Sequence, residues 1–493
     1  MLVLDYHQLV ALSRHGSNPH QRNNGALLSV QEPGDDGRAE PDWGVADSCM
    51  EAMGPNGDGF VAVRGMRDYA SLRSRLLRLA QTLALMPTSE RAAVLKEHGL
   101  GTDVPLKDPG RPVSSFAAQL WFGSLREFKQ SEPTLIDDCG GLNAHWSSDG
   151  DSLSDLGSLF KQLGMCMVEV GLLIARLCDA ARSQGSMREA RLEQAILESG
   201  TAKGRLIHYH SSLEQEIMSS LRKDFRKGHK QNKSGDGGRK TDISNLATDF
   251  AGSAPTWWQQ WHCDYGIFTV LTSPLFLRPT RVIPVNSNVG MERSCCLKDV
   301  PMSAGIQLQA NLELPKLNSS RVIHQGKMEG KSPRTRSPQL SSSPPRLVDL
   351  NSSVQECLSP DGHSLLVVMD SHGRTTSLVI PSDYLIVQVG EAAQLLCGGE
   401  LVARAHCVMR PTSAKDVSRE TMAVFLQPAW DRRMTLPLGV PQEQALEAGG
   451  NATNLETHIP QLASRWKDGC TFAELSKETT RQYYGADGYQ SRR

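Results

Sequence analysis

The feature that most constrains this chain is the series of short apolar runs in its second half. GIFTVLTS (266–273), HSLLVVMD (363–370), TSLVIP (376–381), DYLIVQVGE (383–391), LVARAHCVMR (401–410) and TMAVFLQP (421–428) all read as strands, as does RLIHYH (205–210) before them. Turn signals separate several of them, among them SHGR at 371–374 and GG at 398–399. A short strand must bury a face against a partner. Many such strands joined by tight turns predict an antiparallel sandwich or jelly roll.

The first half is written differently. GFVAVRG (59–65) reads as a buried strand. Leu72, Leu76, Leu79 and Leu83 then share one helical face, with Arg73, Arg75 and Arg78 off it. A stronger helix carries Leu159, Leu163, Cys166, Val170, Leu173 and Leu177 at four-and-three spacing, and this stripe is read as core. Residues 14–50 are rich in Asn, Gly, Asp and Pro, and read as loop or disorder. Residues 222–240 are basic and Gly-rich. A solvated linker is the expectation there, with a nuclear signal or an RNA-touching loop as alternatives; Phe225 is its one aromatic residue, so no stacking platform is supported. Residues 278–353 end in KSPRTRSPQLSSSPPR, which cannot bury a core, and read as an insertion. The tail TFAELSKETTRQYYG (471–485) reads as a short helix on the barrel, with no catalytic role.

Bulk properties narrow the function classes. At 493 residues the chain accommodates one large domain with extensions or several ordinary ones. Hydrophobic residues at 39% and a mean hydropathy of −0.36 suit a soluble protein with a real core. A formal net charge of −1 argues against whole-protein attraction to nucleic acid or acidic membranes. MLVLDYHQLVALSRHG lacks the basic start and small-residue cleavage site of a signal peptide. The most apolar segment, 163–177, is too short to span a bilayer and contains Glu169 and Arg176. The 11 cysteines include no CxxC, which fits reduced thiols inside a cell: cytoplasmic, with the nucleus as the alternative.

The chemistry starts at WHCDYGIF (261–268). On a strand, His262 and Asp264 would point the same way. Such a pair needs a third ligand from another strand to hold a metal, and His406 in LVARAHCVMR is the best candidate. Two imidazoles and one carboxylate leave three octahedral positions open, which suits Fe(II) oxygen chemistry; a structural zinc would take four protein ligands. With 14 His and 54 acidic residues, about one or two His-x-Asp/Glu triplets arise by chance, so the triplet alone leaves a capping or core histidine open. More weight falls on Arg419 and Thr421 in SRETMAVFLQP, which share a strand face with Ala423 and Phe425. An inward arginine needs an anion. A guanidinium grips a carboxylate through two parallel bonds, and a hydroxyl two residues on adds a third. The alternative is a salt bridge to Asp416 or Glu420, which sit in the loop or on the opposite face.

HxD, a distal His and a later Arg-x-Ser/Thr together resemble the 2-oxoglutarate and Fe(II)-dependent dioxygenases, and within them the isopenicillin N synthase-like branch abundant in plants. YLIVQVGEAAQLLCGGELVARAHCVMRP is similar to that branch's hairpin leading into the distal histidine, GDGFVAVRGM (57–66) to its N-terminal strand, and RLIHYH to its "lr.nYYP" strand. The resemblance covers most of 48–275 and 356–480. It implies an α+β fold with a double-stranded β-helix (jelly-roll) core in the C-terminal half, flanked by N-terminal helices. The implied organisation is a mostly helical region 1–200 with 1–50 partly disordered, a jelly-roll domain 201–440 interrupted by 278–353, and a tail 441–493. Three departures stand out. Asp264 and His406 lie farther apart than is usual, and removing 278–353 restores near-family spacing; an elaborated loop and retained intron sequence both fit its composition. Thr421 replaces the commoner serine. Ile207, His208 and His210 surround Tyr209 where the asparagine and prolines would stand, and both histidines are open to a pocket or a surface reading.

The resemblance further implies Fe(II) held by His262, Asp264 and His406, and 2-oxoglutarate chelating the iron with its far carboxylate on Arg419 and Thr421 and a contact from Tyr209. Dioxygen is the co-reactant, succinate and CO2 are products, and an unidentified small molecule is oxidised. A monomer acting away from membranes and nucleic acid is expected. Two other readings stay open: a jelly roll that no longer catalyses and serves as a binding scaffold, and a nucleic-acid-directed oxygenase.

Overall fold

Strands from the first half are woven into the sheet of the strand-rich half. In the computed structural model, residues 1–15, 44–102, 112–123, 153–182, 191–219, 257–279, 354–448 and 459–484 are described. The chain divides into two units, Met1–Arg281 with Leu347–Arg493, and Val282–Arg346. The second unit, the basic stretch 222–240 and residues 280–353 of the expected insertion lie outside the described residues.

The strands are β1 (Leu2–Asp5), β2 (Phe60–Arg64), β3 (Gly101–Thr102), β4 (Val113–Trp121), β5 (Thr201–Tyr209), β6 (Trp257–His262), β7 (Phe268–Thr272), β8 (Leu275–Pro279), β9 (Val354–Cys357), β10 (Leu366–Met369), β11 (Thr375–Ser377), β12 (Leu385–Val389), β13 (His406–Met409) and β14 (Ser418–Leu426). A ten-stranded sheet runs β1-β2-β12-β7-β14-β5-β4-β3, with β8 paired to β14 and to β9. A four-stranded sheet runs β11-β10-β13-β6. The pleat sorts the side chains of the large sheet. Phe60, Ala62, Ile207, Ile386 and Ala423 pack with Trp258, Leu366, Val368 and Val408 of the small sheet to form the inner core. Their alternates Val61, Val63, Leu206, Leu385, Val387, Met422 and Val424 pack on the helices. Three layers result: helices, large sheet, small sheet.

The helix Leu156–Arg182 is the spine of the helical layer. Leu159, Leu163, Val170, Leu173 and Leu177 are buried as the spacing predicts, and so are Leu156, Phe160, Met167, Val168, Leu172 and Ile174, because other helices cover its remaining sides. A Cβ on Gly171 would strike Leu426 Cδ1 of β14, so glycine there lets the helix backbone lie directly on the sheet.

Several expectations need correction. The sheet is not confined to the second half, because the β2 run VAV is buried on both faces and β4 extends the sheet beyond β5. Residues 44–50 are helical, within Gly44–Met53, with Ala46 and Cys49 buried. Arg73 is buried rather than off the core face: Nε donates to Ser273 O at 2.7 Å and Nη2 to Pro274 O, so main-chain acceptors replace water. Arg278 and Pro279 belong to β8 and not to an insertion. Residues 401–405 are not a strand, since their amides are committed elsewhere, Val402 N to Met53 O and Ala403 N to Gln394 Oε1. β11 spans Thr375–Ser377, so only the first two residues of TSLVIP are strand.

Candidate active site

His262 closes β6 and stands directly opposite His406, the first residue of β13. Their rings are 4.3 Å apart. Asp264 lies beyond the end of β6, so strand alternation does not bring it to His262. A turn does, and that turn is held by backbone bonds: Glu391 N donates to Asp264 O at 2.8 Å and Gly390 N to Ile267 O at 2.9 Å. The carboxylate reaches back to both imidazoles, with Oδ1 3.9 Å from His262 Nε2 and Oδ2 3.7 Å from His406 Nε2. These ligand atoms lie within 4.8 Å of one another.

Both imidazoles are oriented to give a lone pair. His262 Nδ1 donates to Gln260 O at 2.9 Å, and His406 Nδ1 donates to Arg404 O at 3.1 Å. A carbonyl only accepts, so Nδ1 carries a proton in both rings and Nε2 is the atom that faces the cluster. Desolvation and the nearby His406 outweigh Asp264 and push His262 down to about 4. A neutral imidazole is the form a cation requires.

The inner face of the large sheet supplies the second part of the site. Arg419 and Tyr209 are cross-strand partners on β14 and β5, and the guanidinium lies 5.1 Å above the Tyr209 ring. Tyr209 OH donates to Gln259 Oε1 at 2.9 Å, and Gln259 Nε2 lies 2.9 Å from His262 Nε2. A continuous chain of contacts therefore runs from Arg419 to a histidine of the triad. Arg419 Nε donates to Ser364 O at 2.9 Å, while its Nη1 is buried with no hydrogen-bond partner among the described residues. Neither acidic neighbour in sequence takes it: Asp416 pairs with Arg278 at 3.1 Å, and Glu420 pairs with His208 at 2.8 Å. Burial pushes the Arg419 pKa down, against the pull of Tyr209 and Glu420. Thr421 is buried on the same face, its hydroxyl 3.2 Å from that of Thr272 and 3.3 Å from Thr272 O.

His208 and His210 are neither pocket nor surface residues. They are fully buried on the opposite face of β5, beneath the helices. Sequence reasoning missed Gln259, whose reach to His262 depends on an irregular register between β6 and β13. It also missed the tail's contact with the ligand turn. Arg465 Nη1 donates to Glu391 Oε2 at 2.7 Å, and Tyr483 OH accepts from Cys263 N at 3.2 Å. The helix Phe472–Tyr484 is thus a clamp on the segment between His262 and Asp264.

A scan against protein-family models finds no match, and a search of curated proteins finds none either. Solved structures do match. Neurospora crassa T7H in complex with alpha-KG is similar at 10% identity and a TM-score of 0.45, over 97% of this chain and 95% of that one. Arabidopsis thaliana DAO1, a dioxygenase for auxin oxidation bound to 2-oxoglutarate, is similar at 13% identity and a TM-score of 0.38, over 88% of this chain and 94% of that one. Among the described residues, no helix is long and apolar enough to cross a membrane.

Proposed function

We propose that this chain is an Fe(II)- and 2-oxoglutarate-dependent oxygenase of a small organic molecule, with His262, Asp264 and His406 as the iron ligands. The observation that carries the reading is the orphaned Nη1 of Arg419. A guanidinium buried with a donor unused is a cost unless an anion completes it. The site lies one tyrosine and one glutamine away from a cluster built to hold a divalent cation. The donor set fits the metal: two neutral nitrogens and a carboxylate suit Fe(II) with positions left open. A dicarboxylate spanning from the iron to Arg419 meets both requirements. On this reading the two sheets are a double-stranded β-helix core, spanning 201–440 with an insertion between β8 and β9 and with β2 and β4 recruited from the first half.

When bound, the iron supplies the redox chemistry that couples dioxygen to oxidative decarboxylation of 2-oxoglutarate, giving succinate and CO2, and to oxidation of the substrate. The protein positions. Gln260 O and Arg404 O fix the two imidazole tautomers. Arg419 takes the far carboxylate through its free donor, with Tyr209 stacked beneath the guanidinium and Thr421 beside it. The Glu391–Arg465 pair and Tyr483 hold the ligand turn. Thr269 and Gln388 are cross-strand partners on β7 and β12, on the inner face, and Thr269 Oγ1 and Gln388 Oε1 lack partners among the described residues. A substrate with hydrogen-bonding groups would satisfy them.

The test is anaerobic addition of Fe(II) and then 2-oxoglutarate to the metal-free protein, reading the visible charge-transfer band of the chelate. The expected result is a band in the wild type, none in His262→Ala, and at least tenfold weaker 2-oxoglutarate binding in Arg419→Ala. A folded wild type with no band would favour the scaffold reading.

A further inference from the structure

The second histidine cluster lies on the other face of the strands that carry Tyr209 and Arg419. Three potential ligand atoms converge there. His208 Nε2 is 3.1 Å from His210 Nδ1 and 3.3 Å from Glu214 Oε2, and His210 Nδ1 is 3.8 Å from the same oxygen. Around a tetrahedral zinc with bonds of about 2.0–2.2 Å, ligand atoms stand about 3.3–3.6 Å apart. Two sides of this triangle, 3.1 and 3.3 Å, are shorter than the 3.7 and 3.9 Å that separate the Asp264 oxygens from His406 and His262.

The outer atom of each of these side chains is also held. His208 Nδ1 is 2.8 Å from Glu420 Oε2, a carboxylate behind a histidine whose other nitrogen faces the centre. His210 Nε2 is 2.8 Å from Ser114 Oγ, leaving Nδ1 to the centre. Gln81 Nε2 donates to Glu214 Oε1 at 2.8 Å, leaving Oε2 to the centre, where it also accepts from Ser211 N at 2.8 Å. Ser418 Oγ donates to Glu420 Oε1 at 2.7 Å. Outer partners of this kind fix the tautomer and aim of metal-binding histidines.

From this convergence we infer that His208, His210 and Glu214 form a second, enclosed zinc site with three protein ligands, with Glu420 orienting His208. Two imidazoles and one carboxylate are a zinc donor set. The charge count agrees. Glu214 and Glu420 are both fully enclosed, and a single imidazolium compensates only one carboxylate, whereas a divalent cation compensates both. The site ties β5, β14, β4, the helix Tyr69–Leu85 and residues 212–219 at one point, directly behind Tyr209 and Arg419.

The test uses the full-length protein carrying His262→Ala and His406→Ala, so that the iron triad cannot bind. The protein is stripped with chelator, incubated with zinc sulfate, desalted and assayed for zinc by mass spectrometry. About one zinc per chain is expected, falling at least tenfold when Glu214→Gln or His210→Asn is added. X-ray absorption at the zinc edge of the double variant is expected to show imidazole and oxygen ligands without sulfur. No retained zinc, retention unchanged in both added variants, or a sulfur shell would overturn the assignment. If the added variants fail to fold, the absorption spectrum alone decides. The result is independent of the chelate band, so either site can fail while the other stands.

Discussion

β5 and β14 present two chemistries on their two faces. On the inner face Tyr209, Arg419 and Thr421 leave a donor unused, and the cluster beyond them includes His262, which is partly open to solvent. On the helix face His208, His210, Glu214 and Glu420 are fully enclosed, and each makes at least one side-chain hydrogen bond. Burial and polarity are similar, but satisfaction differs. On the inner face one unused donor leaves room for an anion, whereas on the helix face the outer atoms are held and aim the inner atoms of His208, His210 and Glu214 at one point.

That contrast can be broken by mutation. Glu420→Ala leaves His208 enclosed with one carboxylate fewer, and it should cost about 3–5 kcal/mol in urea unfolding, as removal of one partner of a buried ion pair does. Arg419→Met, on the facing side, should change stability by less than about 1 kcal/mol, because it removes a charge the fold has not satisfied. The same variant should weaken 2-oxoglutarate binding by about 2–5 kcal/mol, read by calorimetry. Equal stability losses from the two variants would mean the faces do not differ as described. Tyr209→Phe sharpens the comparison at the small end. It deletes one hydrogen bond to Gln259 but keeps the ring under the guanidinium, so about 1 kcal/mol of stability and a few-fold change in 2-oxoglutarate affinity are expected.

Much of the architecture was legible because period-two burial is written in the residues. Arg419, Thr421, Ala423 and Phe425 do share the inner face, and Glu420 does point away from them. The three residues singled out as metal ligands do come together. Less legible was how Asp264 gets there, since a turn pinned by Gly390 and Glu391 leaves no local pattern. The roles of His208 and His210 were hidden because their partners come from positions 114, 214 and 420, remote in sequence for all but Glu214. The tail's grip on the ligand turn was hidden for the same reason, as Tyr483 and Cys263 meet only through tertiary packing.

The alternation along β5 and β14 has one further consequence. If β14 slid by a single residue against β5, Glu420 would turn into the pocket and Arg419 into the enclosed carboxylates, and neighbouring side chains would change sides with them. The misaligned strand would turn a carboxylate toward the Tyr209 face and place hydrophobic Met422 and Val424 on the wrong side of the sheet. Charges of opposite sign on adjacent residues therefore act as a proofreading device: they make the nearest wrong alignment the most expensive one, before any ligand arrives to reward the right one.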